Sequence, residues 1–478
     1  MKREPVVVLC APPNASMTDP RIAPPIGLLN LAAWARKYGF STTGWRVVDL
    51  NVECLGDWPA KGHWTHDFSI ERCMSLLPTG ADIYGLSLAS MQLPHGRALA
   101  AALRVREPNA VLVCGGSHAS AVPQECAVED AQGAANGFDY VVEREGEHAF
   151  LALLHRWQDG NLPQRPNAGE VVRGAVVEPL EDLPFPARDM LDFSRYTRMI
   201  AGQPATNLIA ARGCPARCVF CQQEALWGSG GLRSQSSTRI LAEVDHIFDT
   251  TGIRNILFLD DSLTARKRSE MHALCDGLQE RGVKWRGWTR ANLCVRPGDR
   301  EVLAHMGTTG CQAICIGVEA GTDKILKAMD KGTTVDVNRR AIKNVADAGI
   351  RCRVSIMVGN PGETWDDVLA LVDFIEEMGP WVEDWILSSF VPLPGTPAWD
   401  HPEKFGMIID KEKAKRERYR HFFVVGGDER SGQVHSYTDG TGPEDIQRRH
   451  AWVQESLLRL APRNRLMVTA GAGASPPA

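Results

Sequence analysis

Two successive series of β-branched runs, each run followed by an amphipathic segment, occupy most of the chain. In the first series VVVLCA, WRVVDLN, DIYGLSLAS, AVLVCGG and DYVVEREGE read as five strands, and PPIGLLNLAAWARKYG, the stretch from His95 to Arg106 and AFLALLHRW read as helices. Strands that alternate with helices imply a parallel sheet covered on both faces. Five of them suit a doubly wound, flavodoxin- or Rossmann-like domain over residues 1–178, with its ligand crevice beyond the carboxyl ends of the strands. EPLEDLPFPARDMLDF (178–193) brings three prolines and a run of acids, so residues 179–199 read as a linker. The second series has candidate strands at TNLIAA, RNILFLDD, VKWRGWT, CQAICIGVE, CRVSIMVG and DWILSSFV, with amphipathic segments between them, most closed by Gly. Six βα units are too few for a full eight-fold barrel. They predict a partial (β/α)6 TIM-type barrel over residues 200–399, with functional groups at the strand C-termini. Residues 400–478 depart from the pattern and read as a small, mainly helical region with a helix over 444–460 and a disordered tail, MVTAGAGASPPA. The fold class is therefore α/β.

Composition narrows the function by exclusion. The net charge is −5, from 53 basic and 58 acidic residues, which argues against a general nucleic-acid binder. No apolar stretch reaches the roughly 18 residues of a membrane span, and nothing at the start reads as a signal peptide. A cytoplasmic protein is expected. The 13 cysteines are an odd number and do not suggest a disulfide scaffold in such a chain. Most read as small buried hydrophobes. Cys10 and Cys114 belong with candidate strands, and Cys311 and Cys315 share one face of another.

RGCPARCVFC resists that reading. It follows the first strand of the second series and sets Cys214, Cys218 and Cys221 at CxxxCxxC spacing. Thiolates hold iron–sulfur clusters, and a four-iron cluster normally takes four of them, so three leave one iron open to a small molecule. Zinc is the rival, but it usually takes a fourth Cys or His at short spacing, and the next histidine, His246, lies a full helix away.

At these residues the sequence resembles a known family. Residues 200–400 look like a radical S-adenosylmethionine (SAM) domain, and residues 5–190 look like the cobalamin-binding domain often fused before it. Phe220, before the third cysteine, is an aromatic the family commonly shows there. The resemblance implies a 4Fe–4S cluster on Cys214, Cys218 and Cys221, with SAM on the open iron. FLDDSLT matches the segment near the methionine end of SAM; Asp260 and Asp261 either orient its amino group or cap the next helix. IGVEAGTDKILKAMDKGTT matches the fourth-strand segment, which implies that Glu319 binds a ribose hydroxyl. In VGNPGETWDDV, Gly359 and Gly362 allow close backbone approach to the adenosine, while Glu363 equally suits a helix cap.

The resemblance places cobalamin against GLSLASM, CGGSHASAVPQE and VVEREGEHAF, with Ser87, Gly115, Gly116, Ser117, His118, Glu145 and Gly146 as candidate contacts. Glycine-rich strand ends also suit a Rossmann-like domain holding another ligand or none. The DxHxxG motif whose histidine ligates cobalt in many cobalamin domains does not occur, so the resemblance implies base-off cobalamin without a histidine ligand. It implies a C-methyltransferase of specialised metabolism, moving a methyl from methylcobalamin to a carbon of a small-molecule or peptide substrate, with a flavodoxin- or ferredoxin-type electron donor. The alternative is a non-methylating cyclisation, ring contraction or oxidative rearrangement on the same cofactors. Methylthio transfer and a non-catalytic sensor are disfavoured: the N-terminal domain shows no second-cluster cysteine trio, and no DNA-binding module is recognisable. No individual catalytic residue is identified. Trp285 and Trp288 are candidates to line the substrate cavity.

Overall fold

A computed structural model describes residues 3–14, 20–55, 67–127, 137–164, 168–228, 231–416 and 435–460. The first series forms one parallel sheet of β1 (Val7–Ala11), β2 (Arg46–Asp49), β3 (Ile83–Ser87), β4 (Val111–Gly115), β5 (Tyr140–Glu143) and β6 (Glu170–Arg173), in the order β2-β1-β3-β4-β5-β6. This is the flavodoxin-like order with one strand added at the edge. Strand β6 is not evident in the sequence, because EVVR is a short, half-buried edge run without a strong apolar signal. Strands β1, β3 and β4 are buried along nearly their whole length, as expected for a sheet covered on both faces. The order reverses between β1 and β3, and a crevice is expected beyond their carboxyl ends.

The linker stretch is tightly packed. Three short 3-10 turns, Leu180–Asp182, Arg188–Met190 and Phe193–Arg195, lay it against both domains. Arg188 is fully buried there, donating to the Asn207 carbonyl at 3.3 Å and to Glu243 at 2.9 Å.

The second series curls into a partial barrel. A hairpin of β7 (Met199–Ile200) and β8 (Gln203–Leu208) begins it, and a two-residue ribbon of β9 (Ala211–Arg212) and β10 (Arg233–Ser234) stands at its mouth. The wall continues through β11 (Asn255–Phe258), β12 (Trp285–Arg290), β13 (Cys311–Glu319), β14 (Arg351–Val358) and β15 (Asp384–Ser389). From β8 onward each strand of the wall pairs in parallel with the one before it, in the order β15-β14-β13-β12-β11-β8-β7. Outer helices begin and end where the sequence signals them. Ser236 caps helix Ser237–Thr251, and Gly252 ends it in the left-handed conformation. The face of the wall under these helices carries Leu208, Ile256, Phe258, Ile314, Ile316, Val354 and Ile356, all fully buried. The opposite face lines the lumen.

Beyond the barrel, β16 (Met407–Ile409) pairs antiparallel with β17 (His435–Tyr437), and helix Pro443–Leu460 follows, one residue longer than expected. Ile446, Val453 and Leu457 of this helix enter the barrel core. The tail after residue 460, and residues 421–434 of the glycine-rich segment, lie outside the described residues. No helix among the described residues is long and apolar enough to cross a membrane.

Trp285 sets the lower core of the barrel, edge-on to Phe258 with ring centroids 5.8 Å apart. Trp285→Ala should cost about 3–5 kcal/mol, read as a lower midpoint for the barrel's transition in thermal unfolding.

Candidate active site

The three cysteines sit on the loop between β9 and β10, at the carboxyl end of the barrel's first parallel strand. Gly213 opens this loop at φ +92°, and a Cβ there would lie 2.1 Å from the Gly231 carbonyl oxygen, so only glycine fits. Cys218 is buried, Cys214 half-buried and Cys221 exposed, whereas the other ten cysteines are all buried. Cys54 and Cys73 approach to 3.6 Å between sulfurs, within the packing of the first sheet. Arg290, the last residue of β12, donates through Nη1 to the Cys218 sulfur at 3.4 Å and through Nη2 to the Lys331 carbonyl. Among the described residues no three Cys, His, Asp or Glu side chains close on a single-ion site. The donor set, one loop of three thiolates with one sulfur open to the cleft, fits the cluster.

The strand-end acids separate into different roles. Asp260 is buried and accepts from the Ala210 and Ala211 N–H groups at 2.7 and 3.0 Å and from Arg266 at 2.5 Å. It staples the end of β11 to the end of β8. It does not cap the following turn, where Ser262 stands at the N-cap position, and the fold engages both its oxygens. Asp261 instead opens into the cleft, with a hydrogen bond from the Trp227 side chain. Desolvation by the surrounding walls and then the charge of Asp260 push its pKa up to about 6, against that hydrogen bond.

Glu319 ends β13 with φ +68°, a strained conformation for a non-glycine residue. Its Oε1 accepts from Lys331 Nζ at 2.7 Å, and both side chains are buried. Lys331 also lies 5.7 Å from the Phe220 ring centroid. A ribose contact would therefore share this carboxylate with a cation twelve residues further along the chain.

The loop after β14 is organised by Glu363, whose Oε1 accepts from Gly359 N–H at 2.8 Å and whose Oε2 accepts from Asn360 Nδ2 at 2.7 Å. The C-terminal segment braces it. Tyr437 Oη donates to the Gly359 carbonyl at 2.6 Å, and Arg449 donates to the Glu363 carbonyl at 2.8 Å. At Gly359 a Cβ would lie 2.7 Å from Ile446, so the missing side chain admits the C-terminal helix. At Gly362 a Cβ would meet nothing within 4 Å, and the need for glycine is its φ of +69°.

On the facing domain, a cavity of about 230 Å³ opens beyond the ends of β1, β3, β4 and β5. Ser87, Gly115, Gly116, Ser117, Glu145 and Gly146 line it, together with Leu9, Leu28, Leu31, Val113, Val142 and Phe150, which make its depth apolar. Gly116, at φ +96°, has the Leu88 backbone nitrogen 2.7 Å from where a Cβ would stand. His118 does not line it. It is fully buried with Nδ1 3.0 Å from Ser90, and burial drives its pKa down to about 3. The helix turn Ser117–Ala121 carries it to the far side of the sheet end, away from the cavity.

Glu145 lines the cavity and is tied to two arginines as well. Arg212 of β9 donates to Glu145 at 2.6 Å and to Glu147 at 2.5 Å, while Arg233 of β10 bonds both Glu145 and the Val177 carbonyl. All four side chains are buried or nearly so. Burial alone would raise the Glu147 pKa; the Arg212 guanidinium outweighs it and holds the group below its usual value. Trp227 completes the junction. It lines the cavity, stacks under Arg212 at 5.3 Å and bonds Asp261 beside the cysteine loop. Trp285, by contrast, is core on the helix side of β12 and does not line the lumen, whereas Trp288 faces inward. Arg212, Trp227, Arg290 and Lys331 are not evident as site residues in the sequence, because their partners lie far away along the chain. Only the arginine directly before the GCPARC run gives a local hint.

Comparison with known proteins agrees with this division. The family model of the Radical SAM superfamily matches residues 208–375, and that of the B12 binding domain matches residues 18–154. An uncharacterized methyltransferase of Pyrococcus horikoshii is 25% identical over 67% of this chain and 69% of its own. The cytidylyl-2-hydroxyethylphosphonate methyltransferase of Streptomyces wedmorensis is 25% identical over 86% of this chain and 84% of its own. Among solved structures, the cobalamin-dependent S-adenosylmethionine radical enzyme OxsB superposes with a TM-score of 0.63 at 19% identity, over 87% of this chain but 56% of OxsB. The radical S-adenosylmethionine methyltransferase TsrM from Kitasatospora setae gives 0.61 at 17% identity, over 85% and 81%. Both share the fold.

Removing one partner of a buried ion pair leaves a bare buried charge. Arg212→Ala should therefore cost about 3–5 kcal/mol, seen as a lower thermal midpoint, with faster hydrogen exchange in both the 145–150 and 211–235 segments.

Proposed function

We propose that this chain, which belongs to the cobalamin-dependent radical SAM enzymes, is a C-methyltransferase that places a methyl group carried by cobalamin on a carbon of a small-molecule or peptide substrate. The observation that carries this reading is Trp227, which lines the apolar cavity of one domain and bonds Asp261 beside the cysteine loop of the other. Two cofactor sites thus open on one cleft. When bound, the cluster with SAM supplies hydrogen abstraction from carbon, and cobalamin supplies the methyl group.

The chain's own residues hold and orient these groups. Cys214, Cys218 and Cys221 would ligate three irons, and Arg290 sets a positive charge against the Cys218 sulfur. Hydrogen bonds and charge at cluster sulfurs are levers on reduction potential. Asp261 is the carboxylate free to take the amino group of SAM, while Glu319 and the Gly359–Glu363 loop border its ribose and adenine. The deep apolar cavity suits an aromatic base displaced from cobalt, which supports base-off cobalamin, and His118, buried against Ser90, is not among the residues that line it. An external flavodoxin- or ferredoxin-type donor in the cytoplasm would supply electrons. Fixed placement of the reacting carbon between the two groups is what limits side reactions.

Anaerobic reconstitution with iron, sulfide and cobalamin tests the reading. S-adenosylhomocysteine and 5′-deoxyadenosine should appear in equal amounts with substrate; deoxyadenosine alone would mean a radical reaction without methylation. Cys218→Ala should lose the chromophore near roughly 400 nm that thiolate-ligated clusters give, and a variant that keeps it contradicts the site.

Asp261 adds a pH test. A carboxyl with a raised pKa keeps its proton to about pH 6, so its charge is available to an ammonium group only above that. SAM affinity, measured by equilibrium dialysis, should fall as pH drops from 7 to 5, and Asp261→Asn should flatten that dependence. Because ionisation of this carboxyl opposes folding between its unfolded value and about 6, the same variant should be slightly more stable than the parent at pH 7.

A further inference from the structure

The lumen face of β12 presents Arg286, Trp288 and Arg290 in a column, since alternate residues of a strand share a face. Trp285, Gly287 and Thr289 face the helices, against Phe258, Leu263 and Thr264 respectively. Arg290 stands at the top, on Cys218. Trp288 is 37% exposed although it lies on a central strand of the seven-stranded wall, so there is open space in front of its ring.

The floor of the lumen is cationic. Arg286 begins this column, and Arg353 of β14 and Arg198 beside β7 lie close enough to repel it. Burial and then the charges of Arg286 and Arg353 push the Arg198 pKa down to about 10. Among the described residues Asp384 is the buried acid that answers them, and it is taken by Arg353 at 3.0 Å, with Arg351 at 3.8 Å. Arg286 has no hydrogen bond or ion pair among the described residues, and its buried Nε is left without an acceptor. The Arg286 side chain is half-buried, and its buried Nε costs free energy while it has no acceptor. An anion in the lumen would supply the acceptor that the protein does not.

Resting on the methyltransferase reading, we propose that the lumen selects a substrate by an anionic group, a carboxylate or a phosphate, seated on Arg286 at the floor. The planar or apolar body of that substrate lies against Trp288, and its far end points up to the cysteine loop. Arg290 lies four residue steps beyond Arg286, about 13 Å along a strand, which is room for a body of one or two rings between the anion and the reacting carbon.

Binding of small probes to the reconstituted full chain, by anaerobic titration calorimetry, tests this. The probes are 3-phenylpropionate, phenyl phosphate and the neutral 3-phenylpropan-1-ol. At least one anion should bind the wild type, and the tighter of the two identifies the group. The alcohol should bind at least about tenfold more weakly, the usual weight of one charge-assisted contact. Arg286→Gln should lose the anion by a similar factor, while Arg286→Lys, which keeps the charge, should retain most of the affinity. Equal binding of the alcohol, undiminished binding by Arg286→Gln, or no anion binding by the wild type would each overturn the proposal. Arg286→Gln should keep the cluster absorbance and the slow, substrate-free cleavage of SAM to 5′-deoxyadenosine. Loss of both from the wild type would instead remove the methyltransferase reading, whatever the anion does.

Discussion

The structure hinges on a buried exchange of charge between its two α/β units. Arg212 and Arg233 flank the cysteine loop, and Glu145 and Glu147 stand at the mouth of the apolar cavity. Such groups are costly to bury singly and tolerable only together, with their hydrogen bonds met. The geometry is therefore all or nothing: either the two strand-end surfaces face each other at this register or four charges are left stranded. Trp227 fills the angle between them, so the spacing of the apolar cavity and the cysteine loop is set by packing as well as charge.

The C-terminal region serves the same site from the other side. Its helix contributes Ile446 and Arg449, and its strand contributes Tyr437, to the loop between Gly359 and Glu363. That loop has two left-handed glycines and no regular hydrogen-bond ladder of its own, so its shape depends on outside support. A segment that looks in the sequence like an appendage thus completes the barrel mouth.

Much of this is legible from the sequence because it is local. The period of apolar residues locates the strands and helices, the glycines mark helix ends, and CxxxCxxC names its own chemistry. The cavity-lining serines and glycines are also found, since strand-end loops are where a doubly wound sheet binds ligands. What escapes depends on partners distant in the chain. Asp260 looks like a free acid at a strand end, and only the fold shows its oxygens taken by Ala210, Ala211 and Arg266. Glu145 is legible as a cavity residue, but its bond to Arg212, 67 residues on, is not. His118 follows two glycines in a plausible ligand position, but a single helical turn rotates it into the core. Strand β6 is lost for the opposite reason: an edge strand carries little apolar signal.

In the proposed arrangement both cofactor sites open on one cleft, at a distance fixed by the Arg212–Glu145 contact and Trp227. Electron paramagnetic resonance of the reconstituted chain, with the cluster reduced and cobalamin in its paramagnetic cob(II)alamin form, tests it most directly. Two spins held across one cleft should split or broaden each other's signals, and the splitting should weaken in Arg212→Ala. A spectrum that is the plain sum of two isolated centres would contradict the account.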